Sequence, residues 1–166
     1  MATRWPPREV TSLKYNLDQL ASLLQSASSR ALDDDVVGWL ARLLVVRSCG
    51  YLEQVVYEVC RGYVAARSGG LVRAFARSWL ERTRNPDPDL LEELMGRFDS
   101  TLASEFAALL DADDQRLRRE LAFLVDRRNR ISHGLSEGVG LRKALDLSSV
   151  SSEVGDWFIL KLNPER

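Results

Sequence analysis

The chain has 166 residues, 45% of them hydrophobic, and a formal net charge of −1; this size and apolar content suit one domain with a sizeable core. The near-neutral balance excludes a globally basic nucleic-acid binder, so any electrostatic footprint has to be local, and composition by itself is neutral on function. Met1–Val10 lacks the apolar stretch of a signal peptide, and no window approaches the roughly 18 apolar residues of a spanning helix, so a soluble cytoplasmic protein without a membrane partner is expected.

Leu13, Leu17, Leu20 and Leu24 recur at helical spacing, which predicts an amphipathic helix over Arg8–Ser29. Asp33, Asp34 and Asp35 offer an N-cap and favourable charge for a second helix, predicted over Val36–Ala66, a stretch without proline. From Trp39 to Val59 it is apolar round much of its circumference, as a helix among several neighbours would be. Ser48, Cys49 and Gly50 remove bulk in its middle, which fits either the close approach of a partner helix or a kink. Cys49 and Cys60 are separated by about 16 Å along this helix and cannot pair with each other within it; they read as small buried thiols in a reducing compartment.

Ser68-Gly69-Gly70 ends the long helix, a shorter one is predicted over Leu71–Thr83, and Asn85-Pro86-Asp87-Pro88 breaks the chain. Asp87 as N-cap and Pro88 at the first helical position open a helix carrying Leu90, Leu91, Leu94, Phe98 and Leu102, predicted to run on to Leu110. Asp111 to Asp114 supply the next turn, followed by a helix from about Gln115 to His133. Gly134, Gly138 and Gly140 suggest a mobile connection to a last helix over about Ser149–Leu162. No strand pattern competes, so an all-α fold is expected, as one domain over residues 1–166 with a core from about 8 to 162.

The helix ending at His133 carries an apolar stripe of Leu117, Leu121, Leu124 and Ile131, and Arg128 occupies the slot where leucine would continue it. An unpaired guanidinium in that position would cost several kcal/mol, about what removing one partner of a buried ion pair costs. Three arrangements satisfy it: a pair with an acid of a neighbouring helix such as Glu53 or Glu58, snorkelling past the edge of the stripe, or a wet cleft in which the arginine meets an anion such as phosphate. Asn129 and His133, four residues apart, share a helix face, so the amide can hydrogen-bond the imidazole and fix its tautomer. His133 then reads as a prepared acid or base with Gly134 permitting close approach; as a lone histidine at a helix end it reads equally as a C-cap favoured by the helix dipole. Arg116, Arg118, Arg119, Arg127, Arg128 and Arg130 stand against only Glu120 and Asp126, a local positive excess that either attracts a nucleic-acid backbone or forms a solvated face. His133 is the only histidine, and no spacing suggests zinc, so neither a metal nor a cofactor is expected.

The string Arg128-Asn129-Arg130-Ile131-Ser132-His133-Gly134 resembles the Arg-x4-His motif of HEPN ribonucleases. Arg47-Ser48-Cys49-Gly50-Tyr51-Leu52-Glu53, the Asn85-Pro86 break, Arg97-Phe98-Asp99 and Leu121 to Gly134 resemble the RiboL-PSP-HEPN branch, over roughly Arg8 to Trp157. The resemblance implies an antiparallel helical bundle forming a symmetric homodimer, with Arg128 and His133 of both subunits lining one composite site. It implies a metal-independent RNA endonuclease in which the 2′-hydroxyl attacks the adjacent phosphorus, leaving 2′,3′-cyclic phosphate and 5′-hydroxyl ends. In that reaction His133 moves protons, Arg128 stabilises phosphoryl charge, Asn129 orients the histidine or contacts the phosphate, and Arg127, Arg130 and Ser132 are candidate RNA contacts. Host-defence and toxin roles in the family imply an antitoxin or neighbouring defence protein as a further partner. Some members carry a tyrosine two residues after the histidine that a partner enzyme modifies; Leu135 stands there, so that control is not expected. Two alternatives to the nuclease remain: a non-catalytic module binding RNA or protein through the same surface, and a helical scaffold in which Arg128 makes a buried ion pair.

Overall fold

The computed structural model describes residues 5–29, 33–81, 85–135 and 138–165. They form six helices, α1 (Arg8–Ser29), α2 (Asp34–Arg67), α3 (Gly70–Leu80), α4 (Pro88–Phe98), α5 (Ser100–Ser132) and α6 (Leu141–Lys161), with no strand among the described residues. Three starts are set by aspartates that accept hydrogen bonds from otherwise unpaired N–H groups: Asp33 from Asp35 (2.9 Å), Asp87 from Asp89 (3.0 Å) and Asp99 from Thr101 (2.6 Å). The first two are the expected caps, and Pro88 takes the first helical position as expected.

The third cap corrects the expected course of the chain. The helix starting at Pro88 stops at Phe98, because Asp99 adopts an extended backbone (φ −164°, ψ 139°) and starts α5. The apolar spacing of Leu94, Phe98 and Leu102 continues across this break and conceals it. The expected turn near Asp111–Asp114 is present as four non-helical residues inside α5, Ala112 to Gln115, of which Asp113, Asp114 and Gln115 have φ of 51°, 56° and 58°. They divide α5 into an arm over 100–111 and an arm over 116–132. The last helix starts at Leu141, a full two turns before the expected Ser149, so the glycine-rich connection is shorter than its composition suggests. The end expected for α3, Thr83, lies outside the described residues.

α2 is the spine, packing against α1, α3, α5 and α6, while α4 packs against α5. Ala41, Leu44, Val45, Leu52, Val55 and Val59 are fully buried along it, the leucines and valines each contributing about 1.5–3 kcal/mol relative to exposure. α2 runs uninterrupted through Ser48-Cys49-Gly50, so the kink is not formed. Ser48 and Cys49 are buried, and the Ser48 hydroxyl is satisfied by the Leu44 carbonyl at 2.7 Å. Gly50 has open space where a side chain would project, so there the missing bulk faces a groove instead of a neighbouring helix. The close approach occurs further along, where α6 presents Gly155 to Tyr51: a Cβ at Gly155 would lie 3.1 Å from the tyrosine hydroxyl. Phe106 of α5 meets Trp157 and Phe158 of α6 at ring separations of 4.8 and 5.3 Å, closing the bundle. Cys49 and Cys60 are free and buried, as expected. No described helix is long and apolar enough to cross a membrane.

Candidate active site

The second arm of α5 buries Leu117, Leu121 and Leu124 against the core and partly buries Ile131, which leaves Arg128 at the wet edge of the same stripe. Its Nη2 donates to Glu53 Oε1 of α2 at 2.6 Å, with the two side chains 26% and 24% exposed. Of the arrangements open to the sequence, the ion pair with Glu53 is therefore the one formed, while Glu58 pairs with Arg61 at 2.5 Å. Yet the pair is not sealed. A quarter of each side chain meets solvent, and Arg128 Nε is buried without a hydrogen-bond partner.

Glu53 and Cys49 are one helical turn apart on α2, so both face Arg128. Burial raises the Glu53 carboxyl pKa, and Arg128 offsets part of that rise. Burial likewise pushes the Cys49 thiol up to about 11, against the opposing pull of Arg128, so the thiol stays protonated and is not a nucleophile. The sequence reading names Glu53 only as one of two possible acids and misses the place of Cys49; their four-residue spacing within Cys49-Gly50-Tyr51-Leu52-Glu53 is the signal that points to it.

His133 is the C-cap of α5, and its backbone N–H donates to the Asn129 carbonyl at 3.0 Å. Gly134 adopts φ 72° and donates to Ile131, while Leu135 donates back to Arg130, both at 3.0 Å, which closes the helix with a Schellman motif. The glycine is thus required by the left-handed turn. His133, Asn129, Arg130 and Ser132 are all exposed. The expected hydrogen bond between the Asn129 amide and the imidazole is not formed: among the described residues neither side chain has a protein partner. Both stand in water, where solvent competes for the same groups. Arg127 lies with its guanidinium 4.6 Å from the centre of the Phe123 ring and 3.8 Å from Asp126. Arg128 and His133, five residues apart, point about 140° away from each other round the helix.

The basic run at the other end of this arm is largely neutralised. Arg118 meets Asp111 at 2.8 Å and both Asp89 and Glu92 at 2.9 Å, while Arg116 meets Glu153 at 2.9 Å and Arg119 meets Asp114 at 3.3 Å. Donating hydrogen bonds to Asp111 and Glu92 raises the Arg118 pKa further. Arg118 ties α5 to α4 and Arg116 ties it to α6, while Arg119 pairs within α5, so the local footprint contracts to the His133 end.

The model of one family, described as RiboL-PSP-HEPN, matches residues 11–156. No curated protein and no solved structure matches the chain.

Proposed function

The chain belongs to the RiboL-PSP-HEPN family, and from that premise we propose that it is a metal-independent RNA endonuclease whose catalytic residues are Arg128 and His133. The observation that carries the reading is an arginine side chain, a quarter exposed, that Glu53 holds at the edge of the core five residues before an exposed histidine at a helix end. Glu53 fixes one edge of Arg128 through Nη2, and we infer that the guanidinium meets a phosphoryl oxygen from its other side. The His133 imidazole takes the proton from the attacking 2′-hydroxyl or gives one to the departing 5′-oxygen. The 2′-oxygen forms a bond to phosphorus as the P–O5′ bond breaks, and Arg128 stabilises the charge that accumulates on the non-bridging oxygens.

The divergence of Arg128 and His133 round one helix is answered by a symmetric homodimer, in which the arginine of one subunit works with the histidine of the other. Asn129 sits on the His133 face and contacts either imidazole or phosphate once solvent is displaced; Arg127, Arg130 and Ser132 contact the RNA backbone. A toxin–antitoxin or phage-defence setting in the cytoplasm, with an antitoxin or neighbouring defence protein as regulator, is proposed on family grounds alone. RNA incubated with the purified protein in EDTA is expected to yield 2′,3′-cyclic phosphate and 5′-hydroxyl ends, and His133→Ala to slow their formation by at least about 10²-fold. Cleavage at the parent rate in that variant would assign the activity to another site.

A second reading has its own support. Arg128 already has a counter-charge and the Asn129 amide does not hold the imidazole, as a non-catalytic RNA- or protein-binding module would allow. That reading predicts RNA binding without turnover, unchanged by His133→Ala.

A further inference from the structure

We propose that a groove along α2, leading away from the Arg128–Glu53 pair to an arginine-lined basin under α3, holds the single-stranded RNA that flanks the cleaved bond. This rests on the ribonuclease reading. The groove starts in a hollow between α1 and α2 lined by Asn16, Arg47, Gly50, Glu53 and Gln54. Leu13 and Gln54 also line the next hollow, with Arg8, Ser12 and Glu58. Arg8 and Glu58 in turn belong to the wall of a basin of about 680 Å³ that includes Trp5, Arg61, Arg73 and Arg77. Shared residues thus link three hollows into one path, and from Arg47 to Arg61 it follows α2 for about 21 Å.

Charge along this path favours an anionic ligand. Arg116, Arg118 and Arg119 are engaged with carboxylates, whereas Arg8 and Arg47, at different points of the groove, have no acidic partner among the described residues. Arg73 is fixed by two hydrogen bonds to the Ser68 carbonyl, one of them 2.9 Å, which pre-orders its guanidinium without neutralising it. Arg77 lies 3.6 Å from Glu81, a loose exposed pair. The acids of the groove are mostly engaged, Glu53 by Arg128 and Glu58 by Arg61, and Glu9 is the exception. The floor at Gly50 is open, so a strand can lie against the helix backbone there. A single strand fits better than a duplex because a 2′-hydroxyl that attacks its own phosphodiester has to leave regular helical geometry.

The test compares a 12-nucleotide and a 4-nucleotide RNA as substrates for the full chain, the double variant Arg73→Glu/Arg77→Glu, and Arg47→Glu. Arg142→Glu, an exposed site outside the groove, is the control. Each variant's circular dichroism is recorded first; Arg8→Glu replaces the double variant if that one does not fold. The groove predicts a KM for the longer RNA raised about tenfold more than for the shorter one, and a slope of log binding constant against log salt that falls by roughly 0.7 for each phosphate no longer neutralised. Arg142→Glu is expected to move neither. Equal effects on both RNAs would overturn the groove and leave the ribonuclease reading intact. A parent chain that cleaves neither RNA would overturn both. Loss of binding to phosphatidylserine vesicles with RNA kinetics unchanged would overturn the groove in favour of a membrane surface.

Discussion

Arg118 and Arg128 stand on the same arm of α5, and their surroundings differ in one respect that decides what each can do. Arg118 is enclosed by three carboxylates from two helices, Asp89 and Glu92 of α4 and Asp111 of α5, so each of its three nitrogens is engaged. Among the described residues Arg128 has one, Glu53, which it meets through Nη2. Their side chains are similarly exposed, at 24% and 26%. Exposure therefore does not separate the two arginines, and the number of acidic partners does.

The largest expected effect tests the functional end of that contrast: His133→Ala should slow RNA cleavage by about 10²–10⁴-fold, measured by end-labelled product formation, with the circular dichroism spectrum unchanged. Arg128→Ala should cost about 10²–10³-fold in cleavage. It should also lower stability by about 1–2 kcal/mol in denaturant unfolding, because Glu53 is left partly buried without its counter-charge. Arg118→Ala should reverse the pattern, losing about 1–2 kcal/mol of stability with its network of ion pairs while the cleavage rate per folded molecule stays at the parent value. A comparable loss of cleavage in Arg118→Ala would erase the distinction between the two arginines.

The smallest effect concerns Glu53. Burial raises its pKa more than Arg128 lowers it, so the folded chain binds that proton more tightly than the unfolded chain. Its contribution to stability is then fully present below the ordinary carboxylate pKa and is lost as pH rises through the raised value. Glu53→Gln removes this contribution, so the thermal stability of the parent relative to the variant should fall as pH rises from about 4, the ordinary carboxylate value. A difference that instead grows in the parent's favour with rising pH would show that the pair with Arg128 outweighs burial.

Much of this was legible in the residues. The bounds of α1, the caps at Asp33 and Asp87 and the break before the motif helix follow from local rules, since each needs only neighbours within one turn. Arg128 was visible as an intruder in an apolar stripe. Its partner was not, because Glu53 and Glu58 lie five residues apart on one helix and only the packing of α2 on α5 chooses between them. The locking of Arg118 was hidden for the same reason: Asp89 and Glu92 lie 29 and 26 residues away in sequence. The cap at Asp99 was masked by apolar spacing that runs through it, and the early start of α6 by the glycines before it. The Asn129–His133 hydrogen bond was permitted by spacing, but burial decides whether such a bond outcompetes water, and both residues are exposed.

The most direct test of the Arg128–His133 site is single-turnover cleavage of one RNA in EDTA by the parent, His133→Ala and Arg118→Ala, with the product ends identified. The account predicts 2′,3′-cyclic phosphate ends at equal rates from the parent and Arg118→Ala, and about 10²–10⁴-fold more slowly from His133→Ala. Cyclic ends formed by His133→Ala at the parent rate would contradict it.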